Sequence, residues 1–338
     1  MESQGSMTRA LVLGGGGLTG IAWEAGVLMG LRERGVDTEH WDLVVGTSAG
    51  SIVGAKVLAE PDFDAWFGGQ LLEATRGDDV PIRTLGGRVA ASFLRAGRVR
   101  GFGWMPWLWV SAFALETLVR QRSGRKGRAR PAGPPPEPGP RPMTPPTVEL
   151  SQLGSFGVAA RTASERIYLE VIAQTLHPVA DWPAGLTVTA IDVRTGEGVA
   201  IDGRSGVPFF DAIGASCAVP GLMPPVTIGA RRYMDGGMAS QTHADLALGH
   251  DEVVVVAPLD LGRLDGEVAT LRASGSRVIV VSPGLEATAA LGRNVTLLDP
   301  ARRARSARAG LRDGRHAAAV AGARSPLAGR VSLAGSEG

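Results

Sequence analysis

Along residues 8–58 the apolar positions fall into an ordered series. A strand ends at Leu13 and a glycine run follows. A helix over residues 21–34 is stopped by Gly35. A second strand covers Trp41–Val45, and a sharp turn leads into a second helix over Ser51–Leu58. Strand, helix and strand in that order predict a right-handed crossover unit of a parallel sheet. Later in the chain the pattern predicts a helix over residues 164–174. Neighbouring strands are expected over residues 186–193 and 198–202, and a short helix over Phe209–Ser216. Arg231–Met234 reads as a strand running into Asp235-Gly236-Gly237. Val253–Ala257 and Arg277–Ser282 are unbroken β-branched runs of the kind buried in a parallel sheet. The class predicted is α/β, with three α/β/α layers around a mainly parallel sheet.

Two stretches break the pattern. Residues 76–146 are basic, then proline-rich, and culminate in Pro134-Pro135-Pro136-Glu137-Pro138, a composition that cannot build a packed core and predicts a linker over its second half, with order resuming near Val148. Within it, Phe102–Val110 concentrates three of the seven tryptophans, and an amphipathic helix could follow over residues 111–122. The tryptophans fit either an interfacial anchor, or acyl-chain-lining lid, or a cover over the core where the insertion leaves the sheet. The second stretch, residues 286–338, is expected to be a basic extension, partly helical or disordered. The folded body would span residues 8–285, interrupted by residues 76–146.

Composition narrows the picture further. With 338 residues, 44% hydrophobic and 20% charged, the chain has the make-up of a folded enzyme-sized protein. The net charge of +2 hides an uneven distribution: residues 76–142 hold 13 Lys/Arg against 4 Asp/Glu, and residues 301–330 hold 8 Arg against Asp313. Two basic segments on an acidic body fit contact with an anionic surface such as phospholipid headgroups, or equally a solvated arginine-rich loop and tail. The single Cys217 excludes an internal disulfide and a cysteine-based zinc site. No signal peptide is expected at residues 1–9 and no run of 18 apolar residues occurs, so a cytoplasmic protein with peripheral membrane association is expected.

The candidate chemistry lies in three motifs. Gly46-Thr47-Ser48-Ala49-Gly50, between strand and helix, reads as a nucleophile elbow that presents Ser48 at a helix N-terminus. Gly14-Gly15-Gly16-Gly17-Leu18-Thr19-Gly20 lets successive backbone N–H groups converge, as an oxyanion hole or a phosphate cradle requires. The spacing Gly15-X-Gly17-X-X-Gly20, with Glu39 or Asp42 about 20 residues on, also fits a dinucleotide site. Asp235-Gly236-Gly237 is an acid followed by two glycines, a turn signal that gains meaning beside the other two.

Taken together, with Ala215-Ser216-Cys217-Ala218-Val219-Pro220-Gly221 and Tyr233-Met234 added, these motifs resemble those of bacterial patatin-like phospholipases over roughly residues 8–75 and 148–285. The resemblance implies a serine acyl hydrolase acting on glycerophospholipids or related long-chain acyl esters through an acyl-enzyme. Ser48 would be the nucleophile and Asp235 its base, with the N–H groups of Gly15, Gly16, Gly17 and Ala49 holding the oxyanion. Gly20, Gly46, Gly50, Gly236 and Gly237 would be the motif glycines. It implies no cofactor, no metal and no nucleic-acid partner. A transacylase on the same site, or a membrane-binding scaffold without catalysis, are the alternatives. One departure is Thr19, where the family often carries Arg or Lys. An unperturbed Asp, with pKa about 3.9, is a poor base for a hydroxyl, so an apolar setting is expected around Asp235, with Ala239, Val219 and Met223 as candidate neighbours. The order Ser48, Asp235, His243 leaves a histidine triad as the rival mechanism.

Overall fold

The computed structural model describes residues 7–73, 139–144 and 147–323. The tryptophan cluster, the expected helix over residues 111–122 and most of the proline-rich linker lie outside the described residues.

Among the described residues nine strands form one mixed sheet. Its main path runs β3 (Arg141–Thr144), β5 (Gly198–Asp202), β4 (Leu186–Asp192), β2 (Leu43–Gly46), β1 (Arg9–Leu13), β8 (Glu252–Val256) and β9 (Arg277–Val281). From β4 through β9 every neighbouring pair on this path is parallel. β5 is antiparallel to β4, and β3 to β5. A hairpin of β6 (Val226–Ile228) and β7 (Arg231–Asp235) joins through β7, which lies antiparallel to β4.

The period of two along the strands sorts the core onto the two faces. Leu11 and Leu13 of β1 pack with Val44, Val254 and Val256 under α1 (Gly17–Arg32) and α2 (Ala49–Ala59). Ala10, Val12, Val45, Val253 and Val255 point the other way. They meet Leu264, Val268 and Leu271 of a later helix, together with Ala244 and Ala247. Helices on both faces of a mostly parallel sheet give the three-layer α/β/α architecture.

Several boundaries differ from the sequence expectation. The first helix begins at Gly17, inside the glycine run, rather than at residue 21. Arg141–Thr144, read as the end of a linker, pairs with β5 at the outer edge of the sheet, a place that tolerates Pro142. β9 is the opposite edge strand and is largely half-buried, so its apolar run is not that of a central strand.

The remaining helices are α3 (Phe63–Leu71), α4 (Val148–Ala159), α5 (Glu165–Leu176), α6 (Phe209–Ser216), α7 (Leu264–Ala273), α8 (Leu285–Leu291) and α9 (Arg303–Ala323). The last of these is packed into the body instead of trailing from it. A Cβ built on Gly310 would stand 2.0 Å from the Trp23 carbonyl oxygen, so α9 lies backbone-close along α1. Trp23 Nε1 donates to Asp313 at 2.9 Å across the same seam. Three of its arginines are matched by carboxylates: Arg308 with Glu73, Arg312 with Glu286 and Arg315 with Glu33. This part of the basic C-terminal segment is therefore wedded to the domain. Among the described residues no helix is long and apolar enough to cross a membrane.

Candidate active site

In an open α/β sheet the crevice outside the carboxyl ends of the parallel strands, where connections leave in opposite directions, is the natural binding place. Here the chain goes from β1 to β2 on one side, while β8 occupies the other. The glycine run leaves the carboxyl end of β1 and Ser48 that of β2, so both reach this crevice. Asp42 and Glu39 precede β2 and lie at the other end of the strands. There Asp42 accepts the Arg9 N–H at 2.7 Å and Glu39 pairs with Arg32. A dinucleotide reading needs an acid at the carboxyl end of β2, and these residues do not supply it.

Ser48 has φ 52° and ψ −115°, the strained turn of an elbow, and α2 begins at the next residue. The turn is possible because its neighbours are glycines. A Cβ on Gly50 would lie 2.1 Å from the Leu13 carbonyl oxygen, and one on Gly46 would lie 2.5 Å from the Ser51 Cα. The Gly50 N–H donates to the Gly14 carbonyl at 3.0 Å, which ties the elbow to the glycine run.

Asp235 arrives by a route that strand direction alone does not reveal. β2 pairs with β4 up to Gly46 opposite Val188, and β7 pairs with the same β4 from Asp192 back to Ala190, opposite Asp235. β7 therefore runs head-on toward the end of β2. Two residues separate Gly46 from Ser48 and Val188 from Ala190, so register alone brings Ser48 level with Asp235. Asp235 thus reaches the site by an antiparallel approach, whereas Ser48 and the glycine run leave the ends of parallel strands. Between them the hydroxyls of Thr47 and Thr189 are 2.9 Å apart.

The Asp235 carboxyl is 2% exposed. It accepts the Gly237 N–H at 2.7 Å, and the Ser48 side chain lies near enough to favour its charged form. Burial pushes its pKa from 3.8 up to about 7, and these two neighbours limit the rise. Of the apolar neighbours expected, Ala239 packs with Met238 against a cluster containing Met234, the residue before Asp235, while Met223 joins the main core.

Not every glycine N–H on the loop is open. Gly15 donates to the Gln241 carbonyl at 2.8 Å and Gly14 to the Val256 carbonyl at 3.0 Å. The expectation that Gly15 helps to hold an oxyanion meets this engaged donor. Gly16, Gly17 and Ala49 have no acceptor for their N–H groups among the described residues. Gly17 and Ala49 open α1 and α2, which start without side-chain caps, whereas α3, α4 and α5 are capped by Asp62, Thr147 and Ser164. Uncapped N-termini leave donors and the positive dipole ends available to an anion. Gly20 lies in ordinary contact with Ala49, and Gly236 presses on Thr189.

His243 is buried in a left-handed conformation, and its Nε2 is 3.0 Å from the Gly236 carbonyl. Its charged neighbours are Glu267, Asp245 and Arg263, and burial depresses its pKa. The ring thus braces the turn after Asp235 and, among the described residues, makes no hydrogen bond to Ser48 or to the Asp235 carboxyl, as a triad would need. Thr19 is also buried and donates to the Leu291 carbonyl at 3.1 Å, so no surface remains there for the cation the family often carries. Cys217 lies against the elbow, its thiol pushed up to about 12 by burial and by Asp235. Among the described residues no cluster of His, Cys, Asp or Glu could hold a metal.

Sequence reasoning missed three residues here. Gln241 gives its carbonyl to Gly15 and donates from Nε2 to the Gly237 carbonyl at 2.7 Å, stitching the glycine run to the acid turn. Ser216 accepts the Ser48 N–H at 3.0 Å. Glu24 is wholly buried on α1, and burial raises its pKa well above the usual range, with the nearby Gly14 backbone N–H limiting the rise. Only Ser216 had a signal, as part of the segment 215–221.

A strained serine between strand and helix, beside free backbone donors and a desolvated carboxyl, is an arrangement of the acyl-transfer kind. The model of the patatin-like phospholipase family matches residues 11–248, well over half of the sequence, and the chain belongs to that family. It is accordingly an esterase of lipid breakdown, a lipid acyl hydrolase. Among solved structures, VipD from Legionella pneumophila is similar at 14% identity and a TM-score of 0.40, over 93% of this chain and 67% of that one. The type III effector protein ExoU is similar at 15% identity and a TM-score of 0.32, over 92% of this chain and 53% of that one. No curated protein matches in sequence.

Proposed function

We propose that this protein hydrolyses glycerophospholipids or related long-chain acyl esters through a Ser48–Asp235 dyad and an acyl-enzyme. The observation that carries the reading is a strained Ser48 that strand register brings level with a buried carboxyl raised to about 7. At that value the carboxylate is a far better proton acceptor than an ordinary aspartate and is still substantially ionised near neutral pH.

In the first step Ser48 Oγ attacks the ester carbonyl carbon while its proton passes to Asp235. Negative charge on the carbonyl oxygen is met by the N–H groups of Gly16, Gly17 and Ala49, which lie at two helix N-termini. Collapse breaks the ester C–O bond, and Asp235 returns the proton to the departing alcohol or lysolipid. Water then gives a proton to Asp235 and adds to the acyl carbon. Release of the fatty acid restores the Ser48 hydroxyl with that proton. Gly20, Gly46, Gly50, Gly236 and Gly237 serve as spacers that let these segments approach.

The body performing this chemistry is residues 8–285 with α9 packed on it, and the insertion is the stretch that precedes β3. Peripheral contact with anionic lipid through that insertion would deliver the substrate. Fatty-acid release from mixed phospholipid vesicles tests the reading: the wild type releases fatty acid, whereas Ser48→Ala and Asp235→Asn, folded by circular dichroism, release none above background. Turnover retained in Ser48→Ala overturns it.

A further inference from the structure

Ser48 is held by more than its own strand and helix. At the C-terminal end of α6, three consecutive residues touch the backbone on both sides of the site. Ser216 Oγ accepts the Ser48 N–H at 3.0 Å. Cys217 Sγ donates to the Ser48 carbonyl at 3.2 Å, beside Ser51 Oγ, which donates to the same oxygen at 2.7 Å. The Ala218 carbonyl accepts the Asp235 N–H at 3.0 Å. The end of α6 is itself fixed, because the buried Tyr168 hydroxyl donates to the Gly214 carbonyl at 2.8 Å.

We infer that Ser216-Cys217-Ala218 is a clamp that sets the separation and orientation of Ser48 and Asp235, with Ser216 and Cys217 as positioning residues. The inference rests on the roles proposed above for those two groups. A residue at φ 52° with a Cβ persists only where its surroundings over-determine it. The peptide groups on either side of Ser48 are the ones that must rotate for the strain to relax, and the clamp binds both. Without the Ser216 acceptor the buried Ser48 N–H loses its partner, and the peptide gains by turning toward another one. That rotation carries Oγ away from the Asp235 carboxyl. Because relaxation relieves strain, the folded state loses less than the chemistry does.

The clamp also explains a division of labour among donors. The Ser48 N–H is committed to Ser216 and the Gly15 N–H to Gln241, so neither has to be withdrawn from an oxyanion between turnovers. Ser216 is wholly buried, and alanine removes only its hydroxyl.

The test uses the full chain as wild type, Ser216→Ala, Ser216→Cys, Cys217→Ala and Ser48→Ala. It measures kcat and KM on a soluble p-nitrophenyl ester, the rate of fluorophosphonate labelling, and the melting temperature. Misplacing a reacting group by about 1 Å can cost ~10²-fold, so Ser216→Ala is expected to lower kcat and the labelling rate together by about 10- to 100-fold. KM should stay near wild type and the melting temperature should fall little. Ser216→Cys, which keeps a weak acceptor, should recover part of the rate, and Cys217→Ala should show a smaller loss of the same kind. If Ser216→Ala fails to fold, the cysteine variant and Cys217→Ala decide by the same split. Wild-type kcat and labelling in Ser216→Ala, with Ser48→Ala inert, overturn the clamp and leave the dyad standing. Labelling undiminished in Ser48→Ala removes the dyad, and the clamp with it.

Discussion

Replacing Asp235 by asparagine should abolish turnover and at the same time stabilise the fold, by an amount that depends on pH. The carboxyl has an ordinary value of 3.8 and stands at about 7 in the folded protein because it is buried. Between those values the folded state holds a proton that the unfolded chain has released, so the wild type loses stability as pH rises from about 4 to about 7. The shift of about three units corresponds to roughly 4 kcal/mol at and above neutral pH, at 1.36 kcal/mol per unit. Asparagine carries no charge at any pH, keeps an oxygen to accept the Gly237 N–H, and escapes that cost. The difference between variant and wild type should be smallest near pH 4, grow through pH 5 and 6, and level off above pH 7. Some of the gain will be lost to the altered contact with Ser48, so a net of about 1–3 kcal/mol is expected, or several degrees in melting temperature. Thermal melts of both proteins across pH 4–8, with ester hydrolysis alongside, measure it. A difference that stays constant with pH, or that shrinks as pH rises, refutes the buried-carboxyl reasoning.

The same carboxyl should set the acid limb of kcat/KM, activity rising as Asp235 ionises with an apparent pKa of about 7; a limb near 4 would mean that the base is solvated. His243→Ala should cost about 1–3 kcal/mol of stability, because the Gly236 carbonyl loses its partner and a cavity opens, yet leave the folded enzyme active. Loss of labelling equal to that of Ser48→Ala would contradict this. Glu24→Met should raise the melting temperature increasingly as pH climbs above 4.5, since burial disfavours the charged carboxyl that the variant removes. A lower melting temperature at neutral pH would show that Glu24 has a bond worth keeping.

The local parts of the site were legible in the sequence because local sequence builds them. An apolar strand, a serine framed by Gly46 and Gly50, and a following helix belong to one continuous segment. The acid was legible as Asp235-Gly236-Gly237, but its path was not. Nothing in residues 231–235 says that their strand would pair antiparallel with β4, in line with β2, because register is settled by partners distant in the chain. Ser216 and Gln241 escaped notice for the same reason: their bonds reach Ser48 and Gly15, 168 and more than 200 residues away. The start of α1 differs from the expectation because glycine is a poor helix former, and close packing of Gly17 on Leu297 and of Gly20 on Ala49 and Pro258 overrides that tendency. Charge counting overstated the freedom of the C-terminal basic segment, since Arg308, Arg312 and Arg315 meet acidic partners that only the fold brings near.

The most direct measurement of the central claim is mass spectrometry of the protein after reaction with a fluorophosphonate. A single adduct on the peptide carrying Ser48, formed rapidly in the wild type, slowed strongly in Asp235→Asn and unchanged in His243→Ala, is the result this account predicts. No adduct on the folded wild type, or one that depends on His243 and is indifferent to Asp235, would contradict it.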